Sequence, residues 1–168
     1  MKISVEIAKE CSKWKKHPEI NKKMLSSIAK TIITTYPNLS EVGEWEISVL
    51  LADDDKIQGL NKEFRQKNSP TNVLSFPDLE INWQNILEFK PDPVYMYLGD
   101  VAFSYQTIEN EATQNEVSFQ DHFKHLFIHA ILHLLGYDHM NNEEAGVMES
   151  LEITILDKFN IPNPYLIK

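Results

Sequence analysis

Residues 119–135 constrain the fold more than any other stretch of the chain. Phe123, Leu126, Phe127, Ile128, Ala130, Ile131, Leu132, Leu134 and Leu135 make this segment apolar on nearly every side, and a helix of that kind is buried. Yet His125, His129 and His133 recur every four residues and draw a polar stripe down the same rod. Burying an imidazole is unfavourable unless its nitrogens find partners. The fold must therefore cover the helix with apolar neighbours while its stripe meets something polar. A metal ion would satisfy several rings at once.

Spacing selects the rings that can share an ion. With a rise of about 1.5 Å per residue, His129 and His133 lie about 6 Å apart along the axis, close enough for one metal. His125 and His133 lie about 12 Å apart, beyond the reach of bonds of roughly 2 Å to a single ion. Gly136 is placed to end the helix in a left-handed cap, so that the chain folds back and brings His139 to His129 and His133. The expected ligands are His129, His133 and His139. Three neutral nitrogens suit one Zn²⁺ per chain and leave a position for water, as in catalytic rather than structural zinc. His125 is read as a supporting or core residue. Asp138 and Asp100 are candidates to hold an imidazole by its other nitrogen, with Asp138 equally suited to a turn.

The rest of the chain supplies an α+β frame. Ile3, Val5 and Ile7 alternate with polar residues as in a strand, and Pro18 opens a helical pattern through Ile20, Met24, Leu25, Ile28 and Ile32 that Pro37 stops. Glu44–Leu51 alternates as a second strand. Asp53 caps a short helix expected to bury Ile57, Leu60 and Phe64. Thr71–Phe76 and Tyr95–Phe103 read as two further strands, joined by a long connection with one helical turn. Helices are expected near 105–115, 119–135 and 142–158, with Ser118 capping the second and Asn141 or Asn142 the third. The order β-α-β-α-β-β-α-α-α implies one domain over residues 1–168, with a mixed sheet of about four strands and about five helices.

Composition narrows the setting. The longest apolar runs are far shorter than the roughly 20 residues of a membrane helix, and the N-terminus reads as a strand rather than a signal peptide. Cys11 is the only cysteine, so no internal disulfide can form and a cytoplasmic location fits. The net charge of −9 argues against indiscriminate binding to nucleic acid, and no DNA or membrane partner is expected. Residues 1–35 nevertheless hold eight lysines against three glutamates, a local basic bias. Fifteen of the sixteen basic residues are lysine, and Arg65 is the only arginine. Planar, bidentate recognition of phosphate or carboxylate is a physical reason for a guanidinium at one position.

The segment His129-Ala130-Ile131-Leu132-His133-Leu134-Leu135-Gly136-Tyr137-Asp138-His139 resembles the ligand frame H-E-x-x-H-x-x-G-x-x-H of metzincin proteases. Ala130 stands where those enzymes carry glutamate, their general base and proton shuttle, and alanine can be neither. The same residues resemble more closely the bacterial YbeY family of rRNA-maturation endoribonucleases, whose frame lacks the glutamate and commonly reads H-G-x-L-H-L-L-G-Y-D-H. Two further blocks are similar: Leu60-Asn61-Lys62-Glu63-Phe64-Arg65 running on to Pro70-Thr71-Asn72-Val73-Leu74-Ser75-Phe76-Pro77, and Leu98-Gly99-Asp100-Val101-Ala102-Phe103-Ser104.

The resemblance implies a YbeY-like α+β fold and a three-histidine metal site. It also implies single-strand-specific RNA cleavage in rRNA (16S 3′ end) maturation and ribosome quality control. The implied partners are rRNA and the small ribosomal subunit, with ribosomal or assembly proteins beside them. It places the family's functional arginine on Arg65, where the composition argument also points. Lys62 and Lys67 are nearby candidates to track an RNA backbone, and Trp14, Trp45 and Trp83 to stack on bases, although Trp45 falls in a strand alternation. Two other classes stay open: a metallopeptidase, and a non-enzymatic ribosome-associated factor whose metal is structural.

Overall fold

The computed structural model describes residues 1–166. Strands β1 (Lys2–Lys9), β2 (Glu44–Ala52), β3 (Val73–Pro77) and β4 (Tyr95–Ser104) form one sheet in the order β1-β2-β4-β3. β1, β2 and β4 run parallel, and β3 closes one edge antiparallel to β4. The helices are α1 (Lys22–Ile33), α2 (Pro37–Ser40), α3 (Asp54–Arg65), α4 (Tyr105–Gln114), α5 (Phe119–Leu134) and α6 (Asn142–Lys158). Short 3₁₀ segments lie at Ser12–Lys16 and Trp83–Glu88. This is the expected α+β class with a mixed four-stranded sheet.

The strand period sorts side chains between two faces. Val5, Trp45, Ile47, Val49, Leu51, Val101 and Phe103 face the main core, where they meet α1 and α5. Phe103 packs on Phe123 of α5 with ring centres 4.6 Å apart. The opposite face is thinner: Leu50, Ala52, Leu74 and Ala102 gather around Ile57 and Leu60 of α3. Phe64, expected inside, is 52% exposed: it packs edge-on against Phe76 of β3 but borders an open groove over Ser48, Leu50, Asp100 and Ala102 on this thinly covered face. Trp14 and Trp45 are buried and donate their indole N–H to the carbonyls of Ala52 and Leu39, so neither is free to stack on a base.

Local signals set most boundaries. Asn21, rather than Pro18, starts α1, its side chain accepting from the N–H of Met24 at 2.9 Å. Pro37 stops nothing by itself; it opens the single turn of α2. Asp53, Ser118 and Asn141 cap α3, α5 and α6 through the N–H three residues on. One irregularity matters for the site. Glu46 pairs with Tyr97 and Ile47 with Gly99, leaving Leu98 as the extra residue of a β-bulge. Gly99 has φ +146, and a side chain there would run into the Phe76 carbonyl and come within 3.0 Å of Leu134 Cδ2. The bulge puts Leu98 in the core, Gly99 lets α5 approach β4 closely, and Asp100, alternating with Val101 and Phe103, faces α3.

Candidate functional site

α5 carries the histidine stripe along the core face of the sheet and ends beside the edge strand β3. Its last turn closes with two hydrogen bonds, Gly136 N–H to His133 O and Tyr137 N–H to Leu132 O, each 3.0 Å. This pair is the Schellman pattern, with Gly136 at φ +96. Any side chain at Gly136 would strike the Ile81 carbonyl. The chain reverses there, and the Asp138 carboxylate accepts from the N–H of His139 at 2.7 Å, fixing the turn that delivers His139.

The result is a three-histidine group able to hold a metal: one ring nitrogen from each of His129, His133 and His139, all within 4.8 Å of one another. Nε2 of His129 and Nε2 of His133 are 3.0 Å apart, against the roughly 3.3 Å expected for two nitrogens on one tetrahedral ion. Burial, then the neighbouring His129 and His139, pull the His133 pKa down to about 4. The ring is therefore neutral at ordinary pH, the form that ligates. Donor chemistry and geometry both fit a divalent ion.

The histidines line one side of a cleft of about 730 Å³, and Arg65, Lys67, Asn72 and Ser75 line another. Arg65, the last residue of α3, donates from Nη2 to the Ser75 carbonyl at 2.7 Å, and its guanidinium carbon lies 5.1 Å from the Phe76 ring centre. The loop that follows is held by Asn61, whose side chain donates to Ser69 O and whose carbonyl accepts from Lys67 N–H. Lys62 lies exposed on α3 and is not among the residues lining the cleft. Trp83 stacks on Tyr137 rather than standing free.

Two expected supports are placed differently. Asp100 lies on the α3 face of the sheet, opposite α5, and accepts from the Tyr97 hydroxyl at 2.8 Å, so it cannot orient a ligand imidazole. Asp138 serves the turn. The carboxylate that does reach the histidine stripe is Glu152 of α6, whose Oε1 lies 2.8 Å from Nδ1 of His129 and 3.1 Å from Nε2 of His125. Burial pushes this carboxyl up, but the hydrogen bonds it accepts, those from His125 and His129 foremost, outweigh it, and its pKa falls to about 2. The sequence did carry a signal for it. Met148, Glu152 and Ile155 share one helical stripe, and a carboxylate in a buried apolar stripe demands a partner just as the histidines do.

Residues 10–160 match the family model described as endoribonuclease YbeY. The chain belongs to that family. An endoribonuclease YbeY of Paramagnetospirillum magneticum is 46% identical over 123 residues, 73% of this chain and 73% of the relative. A solution structure of a Thermotoga maritima protein superposes with TM-score 0.53 at 22% identity, covering 94% of this chain and 91% of that one. That second likeness bears on the fold alone. YbeY membership agrees with the resemblance carried by the three motif blocks. Among the described residues, no helix is long and apolar enough to cross a membrane.

Proposed function

We propose that this chain, acting as one metallohydrolase domain, is a zinc-dependent endoribonuclease that cuts single-stranded rRNA during ribosome maturation. In this reading His129, His133 and His139 hold one Zn²⁺, and Arg65 grips the scissile phosphate. The observation that carries it is the meeting of three ligand nitrogens and the chain's only arginine on one cleft. An ion held there supplies Lewis acidity and a water ionised near neutral pH.

The chain's own groups do the rest. Arg65 spends one donor on Ser75 O and keeps the remainder of its fork for phosphate oxygens, where charge grows in the transition state. The ladder between β3 and β4 is bracketed by Ser104 N–H to Asn72 O and Asp78 N–H to Leu98 O. By the antiparallel alternation, Leu74 and Phe76 then bond to β4, while Val73 and Ser75 turn their backbone groups to the free edge. Ser75 N–H is thus a donor facing the cleft. Lys67 adds positive charge for the RNA backbone.

The same edge weighs against a peptidase. An extended peptide would need the free groups of β3 as a template, but Val73 N–H is taken by the Asn72 side chain at 2.7 Å and Ser75 O by Arg65. Ala130 is fully buried, so the position of the protease base offers no proton acceptor. The net charge of −9 suits action on RNA already presented by the small ribosomal subunit and its assembly proteins, in the cytoplasm, better than autonomous capture of RNA.

The test pairs elemental analysis of purified protein with a gel assay on single-stranded rRNA fragments. One zinc per chain and cleavage abolished by a chelator are expected. Metal-independent cleavage would overturn the zinc assignment. Full biological activity in a metal-loaded variant lacking Arg65 would favour the non-enzymatic factor.

A further inference from the structure

Glu152 lies in the middle of α6 with no surface exposed to solvent, beside the buried side chains of Met148, Ile155 and Leu156. An apolar residue would pack there without desolvating a charge, so a carboxylate persists only where its lone pairs are used. They are used by three groups. Oε1 accepts from Nδ1 of His129 at 2.8 Å and from Nε2 of His125 at 3.1 Å, and Oε2 accepts from the Tyr165 hydroxyl at 2.7 Å. An ionised carboxylate only accepts, so His129 must carry its proton on Nδ1. Its Nε2 is then the free lone pair, and that atom lies 3.0 Å from Nε2 of His133.

We propose that Glu152 is the positioning residue of the metal site. It fixes the tautomer and ring plane of His129, and His125 and Tyr165 fix the carboxylate in turn. The third histidine of the α5 stripe thereby has a role although it is too far along the helix to ligate. The segment after α6 becomes part of the site through Tyr165, whose ring stands edge-on to His125 with centres 5.5 Å apart. Partners on the second nitrogen of a ligating histidine set its orientation and basicity, and their loss typically weakens metal binding by about 10–100-fold. This inference rests on the metal reading above.

The experiment compares wild type, Glu152→Gln and Tyr165→Phe, all full-length. Zinc affinity is measured by chelator competition, and the visible absorption spectrum is recorded after cobalt substitution. Glu152→Gln keeps the shape but loses the charge, and should bind zinc about 10–100-fold more weakly with a shifted cobalt spectrum. Tyr165→Phe, which removes only the outer support, should shift both in the same direction by less. Wild-type affinity and spectrum in both variants, with only the melting temperature lowered, would make Glu152 a purely structural tie between α5 and α6 and overturn the proposal. If Glu152→Gln does not fold, Tyr165→Phe decides, and unchanged affinity there overturns it. Wild-type protein that binds neither zinc nor cobalt would defeat the metal reading itself, and this inference with it.

Discussion

Nη2 of Arg65 donates to the carbonyl of Ser75 at 2.7 Å, tying the end of α3 to the edge strand β3. The bond holds Arg65 on the wall of the cleft that the histidines also line. Under the proposed function the position has two separable duties, a structural one through Ser75 and a chemical one through the donors left over.

Arg65→Lys separates them. Lysine keeps the charge but not the planar fork, and loss of one well-placed donor to developing charge typically slows a reaction by about 10²–10³. Cleavage of a single-stranded rRNA fragment should slow by that order in folded, metal-loaded protein. Metal content and melting temperature should stay close to wild type. Equal rates for the two proteins would remove Arg65 from the mechanism.

The histidine geometry was legible because it follows from helix rise and one glycine, both local. Arg65 stands out by composition and resemblance together, and the fold puts it on the same cleft as the histidines. Asp100 alternates with Val101 and Phe103, so the strand period alone puts it on the face away from α5. What nothing local announces is the core position of Leu98, the extra residue that reveals itself only when β4 is paired with β2. Helical period gives the inward face of α3 but not how much of the sheet the helix covers, and Phe64 borders the open groove left beside it. Glu152 is the instructive omission. It lies 23 residues from His129 along the chain, and only the packing of α6 on α5 joins them. Buried among Met148, Ile155 and Leu156, its carboxylate carries the same demand for a partner that marks the histidines of α5.

Ligand choice is tested by deletion. His133→Ala removes a nitrogen at the centre of the group and should abolish stoichiometric zinc. His125→Ala should leave one ion per chain, because His125 faces Glu152 and not the cleft. Elemental analysis of both variants checks this, and zinc lost only from the His125 variant would reverse the assignment.

Acid should destabilise the chelator-treated protein in two windows. The His133 pKa is depressed from 6.5 to about 4 by burial and its two histidine neighbours, so between those values the unfolded chain binds the proton more tightly. Stability from this source is complete above 6.5 and is lost as pH falls toward 4. Glu152, depressed from 4.5 to about 2, adds a contribution present above 4.5 and lost below it. Zinc should raise the melting temperature at pH 8 and do so less as pH falls below about 6, where protons compete for the same nitrogens. A melting temperature level from pH 8 to pH 5, with and without zinc, would contradict the His133 and zinc effects, and one level below pH 4.5 without zinc would contradict the Glu152 effect.

The last prediction concerns a backbone group. By the ladder alternation Ser75 N–H points away from β4, and Ser75 lines the cleft, on the edge strand of the described sheet. Proline is tolerated at such a position, because the missing N–H takes no part in the ladder, and it holds the preceding residue extended, as Leu74 already is. Ser75→Pro should therefore fold, bind zinc normally and keep the carbonyl that anchors Arg65. It should lose only the donor offered to a phosphate oxygen. A hydrogen bond to a charged group contributes about 1.5–3 kcal/mol, so kcat/KM for single-stranded RNA should drop about tenfold to hundredfold. Ser75→Ala, which keeps the N–H and removes only the hydroxyl, is the control and should cleave close to the wild-type rate. A proline variant that folds, holds zinc and cleaves normally would show that the RNA passes the edge of β3 without touching it. Loss of activity in the alanine variant alone would move the contact from the backbone to the side chain.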